Sequence, residues 1–167
     1  VNKVTPSLFA KYCTAADFAA AKPGELETII RSTGFFRNKA KSIRKCCLAI
    51  VERHTGKVPD TMDALLQLDG IGRKTANVVL GVAFGKAEGV VVDTHVSRLS
   101  CRMGLTRQRT PEKIEPALMK LVSRLGWIHF SHLLIWHGRR RCRARKPDCG
   151  GCELNNLCPK IGVETKL

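Results

Sequence analysis

The sequence predicts an all-α fold. Three observations carry that expectation. Apolar residues recur on one helical face over Phe36, Ala40, Ile43, Cys47, Ile50 and Val51. Helix-opening signals recur along the chain, as in Thr110-Pro111-Glu112. The one strand-like run, Gly89 to Val92, is four residues long and reads equally as a buried extended loop.

Taken in order, Thr14 is predicted as an N-cap, because its hydroxyl can accept from the first free N–H groups of a helix. A long amphipathic helix follows over 36–54. Asp60 is predicted to cap a short helix over 61–66. A helix begins around Lys74 and runs to Phe84, and Asp93-Thr94 opens another. Pro111 sits at the start of the next, with Ile114, Leu118, Leu121 and Val122 inward. The last long helix runs from Trp127 to Gly138. Turn signals separate these segments at Pro23-Gly24, Gly34, Gly56, Gly70-Ile71-Gly72, Gly85 and Gly89. There is no repeat and no low-complexity stretch.

Lysine and arginine number 29 against 14 acidic residues in 167, a net charge of +15. The 44% hydrophobic content excludes a disordered chain. The longest apolar stretches are broken by Gly81, Gly85 or charges, so no membrane span is expected. Val1-Asn2-Lys3 shows no export signal, which points to a reducing compartment. The basic residues cluster at 37–45, 73–74, 102–113 and 139–146. That spread suggests a folded basic face for a polyanion, nucleic acid ahead of an anionic membrane surface.

Cys13, Cys46, Cys47 and Cys101 lie among apolar helical patterns and are expected to be small buried residues. Cys142, Cys149, Cys152 and Cys158 fall within 17 residues, spaced C-x6-C-x2-C-x5-C. In a reducing compartment such a group indicates metal before disulfides. The spacing has one C-x2-C pair and lacks the ferredoxin run, so zinc and iron–sulfur stand level on spacing alone.

Between two predicted helices lies Asp69-Gly70-Ile71-Gly72, followed at once by Arg73 and Lys74. Glycines allow positive φ and close approach of a partner. Ile71 can anchor the turn, and the N–H groups of the following helix then form a phosphate site that reads no base. Lys74 at its mouth is either a phosphate contact or an amine nucleophile. A nucleophilic role needs the neutral form, which Arg73, the positive helix end and partial burial all favour. Asp93 is either a helix cap or an acidic partner of that amine.

The run from Leu68 to Leu80 resembles the helix–hairpin–helix of the endonuclease III family of DNA glycosylases. Val91-Val92-Asp93-Thr94-His95-Val96-Ser97-Arg98 resembles the stretch that follows it there. His132 to Arg139, running into the four cysteines, resembles the end of the same family. The resemblance spans residues 1–159. It implies a helix–hairpin–helix DNA glycosylase fold: a helical-barrel lobe over 1–88, N-terminally incomplete because relatives carry a few tens of residues before Val1, and a helical lobe over 89–167 carrying a [4Fe-4S] loop. Asp69 stands where the family usually has proline, which implies a modest loss of DNA affinity.

The resemblance further implies base excision repair by a bifunctional DNA glycosylase and AP lyase acting on oxidised pyrimidines. Lys74 would attack C1′ of the damaged nucleoside, form a Schiff base and direct β-elimination on the 3′ side, assisted by Asp93. Gly70, Ile71, Gly72 and Arg73 would grip the DNA backbone. Phe35, just after Gly34, would be either a wedge into the kinked duplex or a core residue, with Arg37 and Lys39 on phosphates. Cys142, Cys149, Cys152 and Cys158 would hold the [4Fe-4S] cluster. Arg143, Arg145 and Lys146 would meet phosphates or offset the thiolate charge. The implied partner is double-stranded DNA with damaged bases or abasic sites, bound by a monomer. The implied location is the cytoplasm beside a bacterial nucleoid, or a nucleus or organelle. The rival readings are a non-catalytic DNA-binding module with a structural cluster, and a zinc-bound scaffold.

Overall fold

The structure, a computed structural model, describes residues 1–163. Among these residues the regular structure is entirely helical: α1 (Thr5–Lys11), α2 (Ala15–Ala20), α3 (Pro23–Ile30), α4 (Phe36–His54), α5 (Met62–Leu66), α6 (Arg73–Ala83), α7 (Thr94–Arg102), α8 (Pro111–Leu121) and α9 (Trp127–Arg140). Short 3-10 turns lie at Arg31–Thr33 and Arg124–Gly126. The chain forms two compact units, Val1–Ala76 and Asn77–Leu167, and passes from one to the other within α6.

In the first unit α2 and α3 pack on α4. The expected face of α4 is the one that turns inward: Ala40 is buried in the core, with Phe36, Ile43 and Cys47 against it. Leu8, Tyr12, Phe18, Leu26 and Ile30 complete that core. Thr14 caps α2 as expected, in a capping box: its hydroxyl accepts from Asp17 N–H at 3.2 Å, and the Asp17 carboxylate accepts from Thr14 N–H at 2.8 Å. The cap of α5 differs from expectation. Thr61, not Asp60, accepts from Ala64 N–H, and the helix starts one residue later at Met62. Two adjacent residues can both cap, and the backbone path selects Thr61.

In the second unit Val90, Val92, Val96, Leu99, Ile114, Leu118 and Leu134 form the core. Residues 89–92 are buried and belong to no strand, which resolves the strand-like run as a loop. A buried backbone without a sheet must find other partners. Here the Ser131 hydroxyl of α9 accepts from Val91 N–H at 3.0 Å and donates to Trp127 C=O at 2.9 Å. Thr110 and Pro111 open α8 where expected, with Ile114 and Leu118 buried. Leu121, expected inward, is 60% exposed, because α8 ends there and the chain turns away. A Cβ at Gly138 of α9 would lie 2.9 Å from His95 Nδ1 and 3.1 Å from Arg98 on α7, so only glycine lets these two helices approach so closely.

The scattered cysteines are less buried than their apolar surroundings suggest. Cys13 is exposed, and Cys46, Cys47 and Cys101 are half-buried. Cys13 ends up in the open turn ahead of α2, where its own N–H bonds the Asp17 carboxylate.

Candidate nucleic-acid interface and cysteine loop

In the first unit, α5 leads into Gln67-Leu68 and the Asp69–Gly72 turn, and α6 starts at Arg73. Leu65 and Leu68 are buried and Ile71 is half-buried, so the apolar side of the turn faces the protein. Gly70 has φ +76, and a Cβ there would lie 3.1 Å from Ser42 Cβ on α4. Both its backbone angle and its packing therefore demand glycine. Gly72 is different. It has no positive φ, and no protein atom lies within 4 Å of a Cβ built there. Neither packing nor backbone angle requires glycine here; its position directly before α6 suits a helix cap and leaves the helix end open.

The hydrogen-bond ladder of α6 opens with Ala76 N–H to Gly72 C=O at 3.0 Å. Backbone N–H groups of the first turn precede that ladder and point out of the helix end. Arg73 and Lys74 are exposed beside them. The partial burial expected of Lys74 is absent, because it lies on the solvent side of the first turn. The Asp69 charge is partly met by Lys45 of α4, whose Nζ lies 3.8 Å from Asp69 Oδ1. That exposed pair is weak, yet it shields the turn from the negative charge that Asp69 introduces.

The loop before α4 carries the second cluster of predicted contacts. Gly34 has φ +65, and Phe35 is itself left-handed at φ +48 and 87% exposed. Phe35 is thus not a core residue: the backbone holds a large aromatic out in solvent, at a conformation that an L side chain adopts at a cost. Lys39 folds back, donating to Thr33 C=O at 2.7 Å, and Arg37 lies over the Phe36 ring at 5.6 Å.

Asp93 belongs to the second unit. Its Oδ1 accepts from His95 N–H and Val96 N–H, each at 2.8 Å, so it caps α7 as the sequence allows. The cap also fixes the direction of the carboxylate. Lys74 is carried by the first unit.

The four cysteines Cys142, Cys149, Cys152 and Cys158 are all unbonded to one another by disulfides and all line one small cleft. Four thiols converging on one space form a soft donor set that suits an iron–sulfur cluster. Polar donors already reach the sulfurs: Arg102 Nη1 lies 3.4 Å from Cys142 Sγ, and Leu154 N–H lies 3.4 Å from Cys152 Sγ. Such bonds accompany cysteine-held clusters, so the residues present fit one. Arg143, Arg145 and Lys146 are exposed along the same loop.

Several residues of this site were not singled out from the sequence. Arg98 of α7 donates to Gly138 C=O at 3.1 Å and Cys142 C=O at 3.0 Å. Arg141 braces the loop from the end of α9, reaching Asp148 at 2.9 Å and Glu153 at 3.2 Å. The fourfold spacing of Arg98 and Arg102 on one helix was a usable hint, since it puts both on one face.

Comparison with known proteins follows the same outline. Residues 1–124 match the HhH-GPD superfamily base excision DNA repair protein family, and residues 142–158 match the iron-sulfur binding domain of endonuclease III. The chain is 55% identical over 159 residues to endonuclease III of Synechocystis sp., covering 95% of this chain and 73% of that protein. Two solved structures, a non-covalent endonuclease III–DNA complex and a trapped endonuclease III–DNA covalent intermediate, each superpose with a TM-score of 0.90 at 44% identity. They cover 95% of this chain and 74% and 75% of those chains. With its hairpin, its cysteine loop and these matches together, the chain belongs to the endonuclease III family of the HhH-GPD base excision DNA repair superfamily.

Proposed function

We propose that this chain excises oxidised pyrimidines from duplex DNA and then cuts the strand, with Lys74 as nucleophile and Asp93 as its acidic partner. It is a base excision repair enzyme of the DNA glycosylase and AP lyase type, with an iron–sulfur cofactor. The observation that carries the assignment of the site is Gly72: a glycine with nothing of the protein near its face, directly before a helix end flanked by Arg73 and Lys74. A phosphate brought against those N–H groups places the adjoining sugar beside the Lys74 amine.

The chemistry then follows from the amine. The Lys74 Nζ lone pair bonds C1′ while the C1′–base bond breaks, its electron pair leaving with the base. The sugar ring opens to an imine. The imine acidifies C2′, a C2′ proton is lost, and the 3′ C–O bond breaks with its pair on the phosphate. A carboxylate such as Asp93, aimed by its cap on α7, stabilises positive charge on the sugar and takes up a proton from the amine. Reaching the target base requires extrusion from the stack, which costs a few kcal/mol, roughly. Phe35, held out of the protein, fills the gap as a wedge, with Arg37, Lys39 and the loop residues Arg143, Arg145 and Lys146 on the backbone. Cys142, Cys149, Cys152 and Cys158 hold the cluster, which braces a loop too short for a core of its own. The lobes proposed for this chemistry are 1–88 and 89–167, a boundary later in the chain than the division of the compact units after Ala76, and the enzyme acts as a monomer.

Borohydride trapping on a duplex with one abasic site tests this directly. The wild type gives a covalent complex, and Lys74→Ala gives none while still binding. A trapped complex with Lys74→Ala, or none with the wild type, overturns the assignment. Duplexes carrying different lesions, followed by sizing of the products, test the preference for oxidised pyrimidines. Binding that is strongly salt-dependent without any cleavage favours the non-catalytic module instead.

A further inference from the structure

One arginine touches both ends of the cysteine loop. Arg102 is the last residue of α7 and is half-buried. Its Nη1 donates to Arg143 C=O at 2.7 Å and lies 3.4 Å from Cys142 Sγ, and its Nη2 donates to Ala144 C=O at 3.0 Å. The fork of the guanidinium therefore spans three successive residues at the start of the loop. Its backbone serves the other end. Arg102 C=O accepts from Ile161 N–H at 3.0 Å, and the Cys158 thiol lies 3.6 Å from the same oxygen. The first and last cysteines of the set are thus gathered on a single helical residue.

We propose that Arg102 is a positioning and tuning residue for the cluster: its side chain holds the first turn of the loop in place for the cluster, and its N–H on the Cys142 sulfur raises the cluster's reduction potential. This rests on Cys142 being a cluster ligand. Electron density added on reduction spreads onto the coordinating sulfurs, and a hydrogen-bond donor beside one of them stabilises the more negative state. A cation at the same place acts in the same direction. Lysine keeps the charge but lacks the planar fork, so it cannot serve a sulfur and two carbonyls in this geometry. Methionine keeps the unbranched stem and removes both charge and donors.

The test uses the intact holoprotein without DNA. Arg102→Lys and Arg102→Met are compared with wild type by decay of the visible band at about 400 nm under a mild oxidant, and by the midpoint potential on an electrode. Both variants are expected to lose the band about tenfold faster, the scale of outer-shell changes around metals. Both are expected to have a lower midpoint, and Arg102→Met the lowest. If Arg102→Met fails to fold, Arg102→Lys decides alone. Wild-type decay and wild-type potential in a fully loaded Arg102→Lys overturn the proposal. A wild type that carries no such band overturns the ligand assignment of Cys142 instead, and Lys74 trapping is read separately from both.

Discussion

Two glycines in one turn are expected to answer differently to the same substitution. Gly70→Ala places an L side chain at φ +76 and 3.1 Å from Ser42 Cβ. The left-handed conformation costs about 1–2 kcal/mol, and the stiffer unfolded chain returns about 0.4–1 kcal/mol. The squeeze against Ser42 adds to the loss, so a net destabilisation of about 1–2 kcal/mol is expected. Gly72→Ala meets no protein atom and keeps an ordinary backbone angle, so its effect on folding is limited to roughly 0.5 kcal/mol of capping preference. It does put a methyl group where a phosphate is proposed to sit. Loss of one charge-assisted hydrogen bond there is about 1.5 kcal/mol, or tenfold in affinity. Urea unfolding measures the first effect. Fluorescence anisotropy with a duplex carrying a stable abasic analogue measures the second. Equal loss of stability in both variants, with Gly72→Ala binding as tightly as wild type, would refute the division of labour between the two glycines.

Other expectations are more local. Ser131→Ala leaves the buried Val91 N–H without its acceptor, and a loss of about 1–3 kcal/mol in urea unfolding is expected; an unchanged midpoint means the arm before Asp93 is held by other contacts. Burial, with a smaller contribution from Cys46, pushes the Cys47 thiol up to about 11, whereas Cys13 is exposed. A maleimide at neutral pH should therefore label Cys13 well before Cys47, and mass spectrometry showing equal rates contradicts this. The hydrogen bonds with Thr14, side chain first, and that from Cys13 N–H hold the Asp17 carboxyl below its ordinary range. Its contribution to stability is present above the unfolded value of about 3.9 and is lost as pH falls through the lower folded value. The stability difference between wild type and Asp17→Ala should shrink in that acid window, and a difference that grows on acidification contradicts the capping box.

What was legible in the sequence is what neighbours in the chain decide. A helical face over residues 36–51, a capping hydroxyl at Thr14, a cap at Asp93 and four cysteines in one loop are all local patterns, because helix period, caps and ligand spacing act within a few residues. The same locality left Thr61 and Asp60 indistinguishable as caps, since both side chains suit the role. Whether Gly70 or Gly72 serves the fold was not legible at all: the difference is Ser42, which arrives from α4. Whether Phe35 is buried in the core was likewise not legible, because the backbone before α4 decides it, and it turns the ring out to solvent. The hold of Arg102 on Cys142 and of Ser131 on Val91 joins residues about 40 apart in sequence, at distances that only packed helices define. Periodicity states which face of a helix is apolar; which polar groups meet across two such faces is set when the helices dock.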